Sequence, residues 1–212
     1  MPIELWLAYV ATSAVVLAIP GPTILLVLSY SISQGRSATV PLVAGVALGD
    51  SVAITLSLVG LGTLLATSAL LFTVIKWLGG LYLIYLGFRL MRSAGQPLAL
   101  HSGEVPGSSA RKLFGNAFIV TALNPKSIVF FIALLPQFIS PDNPPGPQLL
   151  ILGVTFVLLA IFGAASYAIF ASSVRQFLAS PRAQRAYGLL GGGLLCAAGI
   201  WALGARRVVS AS

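Results

Sequence analysis

The chain has 212 residues, of which 58% are hydrophobic and only 8% are charged, and its net charge is +8. Soluble domains carry about 25% charged residues, so this sequence could not cover itself with a polar surface in water. The apolar residues form long blocks instead of the alternating segments of roughly ten residues that build membrane β-barrels. The composition therefore predicts an all-α membrane protein whose main surroundings are the lipid bilayer.

Six apolar segments are each long enough to cross a bilayer, which takes about 20 helical residues. They cover residues 5–32, 40–65, 70–90, 113–135, 148–172 and 186–203. Residues 1–6 contain no Lys or Arg, so the positively charged start of a cleavable signal peptide is missing. We therefore expect the first segment to remain in the protein as a membrane helix.

Positive charges gather in alternate connections between these segments. Eight of the twelve Lys and Arg residues lie in the first, third and fifth connections: Arg36, Arg89, Arg92, Arg111, Lys112, Arg175, Arg182 and Arg185. Cytoplasmic loops carry the excess of Lys and Arg, so this pattern predicts a multi-pass protein of a bacterial inner (plasma) membrane with both termini outside the cytoplasm. The same topology accounts for the basic net charge, and we expect no nucleic-acid partner.

The two halves of the chain resemble one another. Each half opens with a proline-interrupted segment, at 20–22 and at 124–125, and the third segments share a glycine pattern. The matching glycines are Gly79, Gly80 and Gly87 in one half and Gly191, Gly192 and Gly199 in the other. We predict two inverted three-helix repeats with broken first helices, residues 1–93 and 111–212, joined by a cytoplasmic linker at 94–110. The alternative is that Gly and Pro are simply common in membrane helices.

Glycine-rich faces raise the question of self-association. Gly191-Gly192-Gly193 presents small residues that could pack within the protomer or between the protomers of a homodimer. The sequence leaves both open.

The sequence Pro20-Gly21-Pro22 interrupts the first segment. Each proline lacks an N–H group and clashes with the preceding turn, so carbonyl groups near residues 16–19 lose their helical donors. Inside a bilayer such groups need partners from protein or water, which predicts a polar cavity unless the break is only a packing kink. The half-helix that starts near Thr23 would present a partly positive N-terminus that suits a carboxylate.

Asp50 is the only acidic residue well inside a predicted span. A charged group at the bilayer centre costs about 2.5–3.5 kcal/mol on insertion scales, and such groups usually mark ion or substrate pathways. Asp50 could relay a proton or bind the ammonium group of a substrate. The alternative is a structural ion pair with Lys76 or Lys126.

Asn124-Pro125-Lys126 forms the second break. The asparagine amide can cap freed backbone groups or bind ligand. Lys126 can pair with Asp50 or with a substrate carboxylate, or its long stem can carry the charge to the membrane interface. Three residues of the third segment are further candidates for ligand contact, with an interfacial position for the lysine and packing for the tyrosines as alternatives: Lys76, Tyr82 and Tyr85.

Several classes of chemistry lack their residues here. No phosphate-binding Gly-x-x-x-x-Gly-Lys motif is present, and one cysteine, Cys196, with one histidine, His101, gives neither a redox pair nor a transition-metal cluster. We predict no enzyme activity, no cofactor and no metal site. Export of a metal or other cation and a non-transporting membrane assembly factor remain alternatives, whereas a thiol-electron conduit would need paired cysteines.

A set of short motifs occurs in a characteristic order along the chain. The motifs are Ile19-Pro20-Gly21-Pro22-Thr23, Gln34-Gly35-Arg36, Gly45-Val46-Ala47-Leu48-Gly49-Asp50, Lys76-Trp77-Leu78-Gly79, Asn124-Pro125-Lys126 and Leu135-Pro136-Gln137-Phe138. This ordered set, over about residues 5–205, resembles the LysE/RhtB family of amino-acid exporters.

The resemblance implies a fold and a function. It implies six helices, proton-driven antiport, and export of amino acids such as lysine, homoserine or threonine. It also implies a site built from Pro20, Gly21, Pro22, Asp50, Asn124, Pro125 and Lys126.

Overall fold

A computed structural model of the chain describes residues 1–19, 21–67, 69–94, 108–140, 142–174 and 180–204. Pro20, His101, Arg175 and most of the predicted linker lie outside these ranges. The main α-helices are α1 Ile3–Ala18, α2 Pro22–Gln34, α3 Thr39–Thr67, α4 Ala69–Arg92, α5 Ala110–Ala122, α6 Pro125–Ala133, α7 Pro145–Ile169 and α8 Pro181–Gly204. Short 3-10 helices cover Gly35–Ala38 and Leu135–Phe138, and no strand occurs in the described ranges.

The predicted class, an all-α membrane protein, is confirmed. Among the described residues, three helical stretches are long and apolar enough to cross a membrane: Pro22–Gly60, Pro145–Ile169 and Pro181–Gly204. The bent pair formed by α5 and α6 would make a fourth span. The arrangement of six spans in two inverted repeats stays a prediction.

Proline marks the start of a helix at both breaks. Pro22 is the first residue of α2 and follows Gly21, whose backbone is extended at φ −116° and ψ −172°. Pro125 is the first residue of α6 and follows Asn124, whose side chain accepts a hydrogen bond from the backbone N–H of Lys126. Proline suits this position because the first N–H groups of a helix have no helical acceptor. The axes of α5 and α6 differ by 41° across their break.

Glycines allow α4 and α8 to pack backbone against backbone. A Cβ atom added at Gly87 would lie 2.5 Å from the carbonyl oxygen of Gly192, and one added at Gly199 would lie 2.6 Å from that of Gly80. Residues early in α4 thus meet residues late in α8, so the two helices run antiparallel. Gly193 has open space around its Cβ position, and the contact at Gly192 is made within the protomer.

A second close approach joins α3 to α5. A Cβ atom at Gly45 would lie 2.5 Å from the carbonyl oxygen of Phe114, and one at Gly49 would lie 2.7 Å from the Cβ atom of Thr121. Since Asp50 follows Gly49 directly, this packing brings the buried acid to the break between α5 and α6.

Aromatic rings fill the core between α1, α6 and α7. We call Tyr9, Phe130, Phe131, Phe138 and Phe156 the aromatic cluster, and all five side chains are buried. The rings of Tyr9 and Phe138 lie 5.2 Å apart and those of Phe131 and Phe156 lie 4.7 Å apart, both nearly edge to face. This geometry suits aromatic quadrupoles and fixes α1 against the second half of the chain.

Candidate functional site

A small, partly open cavity lies where the helix breaks meet. Its polar and charged lining consists of Thr23, Asp50, Asn124, Lys126 and Ser127. The remaining wall is apolar or small: Val16, Leu17, Gly21, Ile24, Val46, Ala160, Gly163 and Ala164. A mostly apolar cavity with a few convergent polar groups is the usual form of a small-molecule site.

Lys126 caps the broken end of α1. Its Nζ atom donates hydrogen bonds to the carbonyl oxygens of Val16, at 2.9 Å, and Ile19, at 2.8 Å. In a continuous helix the Val16 carbonyl would accept from the N–H of residue 20, but that residue is a proline. The lysine side chain is buried, so of its two predicted positions it takes the one inside the protein.

Two tyrosines serve the other carbonyl that proline leaves without a donor. The carbonyl of Ala18 would accept from the N–H of residue 22, which is also a proline. The hydroxyl of Tyr167 on α7 donates to this oxygen at 2.8 Å, and the hydroxyl of Tyr187 on α8 donates to it as well. Our sequence reasoning pointed to freed carbonyls here but did not find these two donors.

Side chains from both breaks are joined by hydrogen bonds. The Asn124 amide donates to the hydroxyl of Thr23 at 3.2 Å, and the Thr121 hydroxyl donates to the same oxygen at 3.3 Å. The side-chain oxygen of Asn124, Oδ1, accepts from the backbone N–H of Lys126 at 3.1 Å. The start of α2 is therefore fixed against the start of α6.

Asp50 carries the negative charge of the cavity and is only 2% exposed. Its carboxylate lies close enough to Lys126 for electrostatic attraction and lies beside the hydroxyl of Ser127. One carboxylate oxygen, Oδ1, has no hydrogen-bond partner in the part of the chain that the structure describes. Buried carboxylates are normally fully hydrogen-bonded, so this oxygen remains available to a ligand.

Positive and negative groups occupy the same cavity. The N-termini of α2 and α6 open onto it through Thr23, Asn124 and Lys126, and helix N-termini carry partial positive charge. Asp50 and the carbonyl end of α1 supply the negative groups. A cavity with both signs of charge complements a small molecule that carries both an ammonium and a carboxylate.

Comparison with known proteins places the chain in a family. The family model described as LysE type translocator matches residues 14–205. The chain belongs to this family. The match confirms the resemblance predicted from the ordered motifs, and it makes the protein a translocator of the membrane.

Relatives of this LysE type translocator align with most of its length. A homoserine/homoserine lactone efflux protein of Salmonella typhimurium is 38% identical over 207 residues, which is 98% of this chain and 100% of the relative. The protein of the same name from Salmonella typhi is 37% identical over the same shares. An uncharacterized membrane protein of Vibrio cholerae is 35% identical over 85% of this chain and 87% of its own. No solved structure matches the chain significantly.

The remaining predicted site residues of the translocator fall in three places. Gly21 lines the cavity, whereas Pro22 and Pro125 start their helices with exposed side chains. Tyr82 and Tyr85 on α4 lie against each other, with ring centres 6.2 Å apart, and do not line the cavity. Pro20 and the side chain of Lys76 lie outside the described part of the chain.

Sequence reasoning missed the wall that α7 contributes. Ala160, Gly163 and Ala164 line the cavity opposite the helix breaks, and Ser127 lies beside Asp50. Small apolar residues in a membrane helix carry no chemical signal of their own. The only indication in the sequence that these residues line the site was the position of α7, which directly follows the second broken segment in the predicted repeat.

Proposed function

We propose that this translocator exports small amino acids across the bacterial inner membrane and has no enzyme activity of its own. Homoserine is the first candidate substrate, with homoserine lactone beside it, because these are named for relatives that align over the whole chain. The observation that carries the proposal is the burial of Asp50 and Lys126 in one cavity with the ends of broken helices.

The cavity offers a partner for each end of an amino acid. The substrate carboxylate would lie at the N-termini of α2 and α6, where the ammonium group of Lys126 adds positive charge. The substrate ammonium would lie at the free oxygen of Asp50. Both charges of the substrate would then be matched inside the membrane, where unpaired charge is costly.

Transport would proceed by alternating access between two inverted three-helix halves. Two features support this proposal. Gly21 at the first break and Asn124 at the second line one cavity, and the glycine pairs on α4 and α8 cross in the way that two inverted copies would make them cross.

The driving force would be the proton gradient, with Asp50 taking up a proton after it releases substrate. A proton that enters down a membrane potential of 100 mV contributes about 2.3 kcal/mol, which could sustain a substrate gradient of roughly fiftyfold.

Positive charges at helix ends support the proposed orientation, in which both termini lie outside the cytoplasm. Arg92 ends α4, while Arg111 and Arg182 lie in the first turns of α5 and α8, and all three are exposed.

Cation export is the weaker alternative. A cation would use the free oxygen of Asp50, but the buried ammonium group of Lys126 places a positive charge in the same cavity. Within the described residues no three His, Cys, Asp or Glu side chains come together.

The proposal is tested with purified protein in liposomes. We expect labelled homoserine to cross the bilayer against its gradient when a proton gradient is imposed, and Asp50→Asn to abolish this accumulation. Asp142→Asn is the matched control, because it removes an exposed acid of a connecting segment and should transport like wild type. If wild type moves neither homoserine nor any other amino acid of a twenty-member panel, the proposed function is wrong.

A further inference from the structure

Two buried hydroxyl groups near the cavity have no partner. The side chains of Tyr9 and Ser13 are fully buried, and neither hydroxyl makes a hydrogen bond in the described structure. The Oδ1 atom of Asp50 is also buried without a hydrogen-bond partner in the described structure. Proteins hydrogen-bond nearly all buried polar atoms, so three neighbouring exceptions require an explanation such as a ligand.

The two hydroxyls belong to the turns of α1 that precede its cavity-lining residues. Tyr9 and Ser13 are four residues apart and share a helix face, and Val16 and Leu17, which line the cavity, follow three and four residues after Ser13. The hydroxyl of Tyr9 lies beside Ser13 and within electrostatic reach of Asp50. The polar groups therefore form one series that begins at Asp50.

The ring of Tyr9 has a fixed position. It packs 6.1 Å from Phe130 and 5.2 Å from Phe138, centre to centre, within the aromatic cluster. A rigid ring holds its hydroxyl in place at little entropic cost. Such a group suits recognition better than a flexible polar side chain would.

We propose that Tyr9 and Ser13 bind an oxygen atom carried on the γ-carbon of the substrate. This inference rests on the proposed function. With the substrate ammonium at Asp50 and its carboxylate at the helix N-termini, the side chain is directed along α1 toward the two hydroxyls. Both hydroxyls can donate to the γ-oxygen of homoserine, which is an alcohol. The lactone has no free carboxylate, because its γ-oxygen is esterified to the carboxyl carbon, so this arrangement applies to homoserine and not to its lactone.

The same geometry discriminates against a substrate analogue that has an apolar group in place of the γ-oxygen. A substrate with a methyl group in place of the γ-oxygen would leave both hydroxyls buried and unpaired in the occupied state. A site that is built to hydrogen-bond a substrate group discriminates strongly against the analogue that lacks the group. The structure thus assigns selectivity to Tyr9 and Ser13 and charge recognition to Asp50 and Lys126.

The test compares homoserine with norvaline, in which a methyl group replaces the hydroxyl. Proteoliposomes with wild-type protein should transport homoserine at least tenfold more efficiently at low concentration. Tyr9→Phe keeps the ring and Ser13→Ala keeps the helix, so each should lower this preference roughly three- to tenfold by raising the KM for homoserine. Norvaline transport should stay the same or improve, which shows that the variants are folded.

Thr12→Val is the matched control. Its hydroxyl already bonds to the carbonyl of Ala8 within α1, at 2.7 Å, so its removal should leave the preference unchanged. If wild type transports both substrates equally well, or if Tyr9→Phe and Ser13→Ala keep the full preference, the inference is wrong while the exporter stands. If wild type moves neither substrate but moves another amino acid of the panel, this inference alone is overturned. If it moves no amino acid of the panel, the proposed function falls with it.

Discussion

Lys126 has a structural role at the helix break and lies in the cavity where we propose that substrate binds. Its ammonium group replaces the backbone donors that proline removes from the end of α1, and it also faces Asp50 in the cavity. A lysine in this position is stable only because carbonyl oxygens and a carboxylate surround it. An unpaired ammonium at the same depth would be strongly disfavoured.

At this residue scale we expect Lys126→Met to lower the free energy of unfolding by about 1.5–3 kcal/mol, the value of hydrogen bonds to a charged group. The variant leaves the carbonyls of Val16 and Ile19 without their donor, although the methionine side chain retains most of the volume. Unfolding of the detergent-solubilised protein measures the change. Lys112→Met, on the exposed first turn of α5, is the control, and equal stability of the two variants would contradict the capping role.

Local chemistry at single residues could be predicted from the sequence. The missing N–H groups of Pro20 and Pro22 identify the carbonyls that need donors, and the burial of Asp50 follows from its place in an apolar segment. The identity of the donors could not be predicted. Tyr167 and Tyr187 lie 149 and 169 residues away from Ala18 along the chain, and only tertiary packing brings them to it.

At the scale of elements, the break between α1 and α2 is held by parts of the second half of the chain. Lys126 comes from α6, Tyr167 from α7 and Tyr187 from α8. An isolated helix with this break would expose its carbonyls to lipid. The broken helix is therefore stable only in the assembled protein.

The two tyrosines should act as substitutes for one another. Either hydroxyl alone satisfies the Ala18 carbonyl, so Tyr167→Phe and Tyr187→Phe should each cost little stability. The double variant leaves the exposed carbonyl of Ala18 without any side-chain donor and should lose about 0.5–1.5 kcal/mol, more than the sum of the single losses. Chemical unfolding of the three variants measures this coupling, and strictly additive losses would mean that the tyrosines stabilise the protein independently. Tyr85→Phe, on an exposed part of α4, should leave stability unchanged.

The positions of the helices along the chain were more predictable than the way the helices pack against one another. The apolar segments at 40–65 and 70–90 correspond to α3 and α4, and both breaks fall at the predicted prolines. Proline and hydropathy determine structure locally, so their effects can be predicted directly from the sequence. The close approach of α3 to α5 depends on Gly45 and Gly49 meeting the backbone of a helix far along the chain, which no local pattern specifies.

At the scale of the whole molecule, the antiparallel contact of α4 and α8 joins the two halves. Gly87→Ala should destabilise the protein by about 1–3 kcal/mol, because its Cβ would lie 2.5 Å from a backbone oxygen that cannot move away. Gly193→Ala is the matched control in α8, since nothing lies within 4 Å of its Cβ position. There alanine should be neutral or stabilising by up to about 1 kcal/mol, its intrinsic advantage in a helix. Similar unfolding temperatures for the two variants would argue against a tight contact.

The orientation of the whole molecule can be tested at two exposed connecting segments with opposite predicted locations. Ser37 lies next to Arg36 between α2 and α3, and Asn143 lies next to Asp142 before α7. With Cys196 replaced by serine, we expect a membrane-impermeant maleimide to label Asn143→Cys on intact cells and Ser37→Cys only after the membrane is opened. The reverse pattern would place the N-termini of α5 and α8, with their basic residues, outside the cell. Since proton entry and substrate exit must have fixed directions in an exporter, that result would also require the roles of the two sides of the cavity to be exchanged.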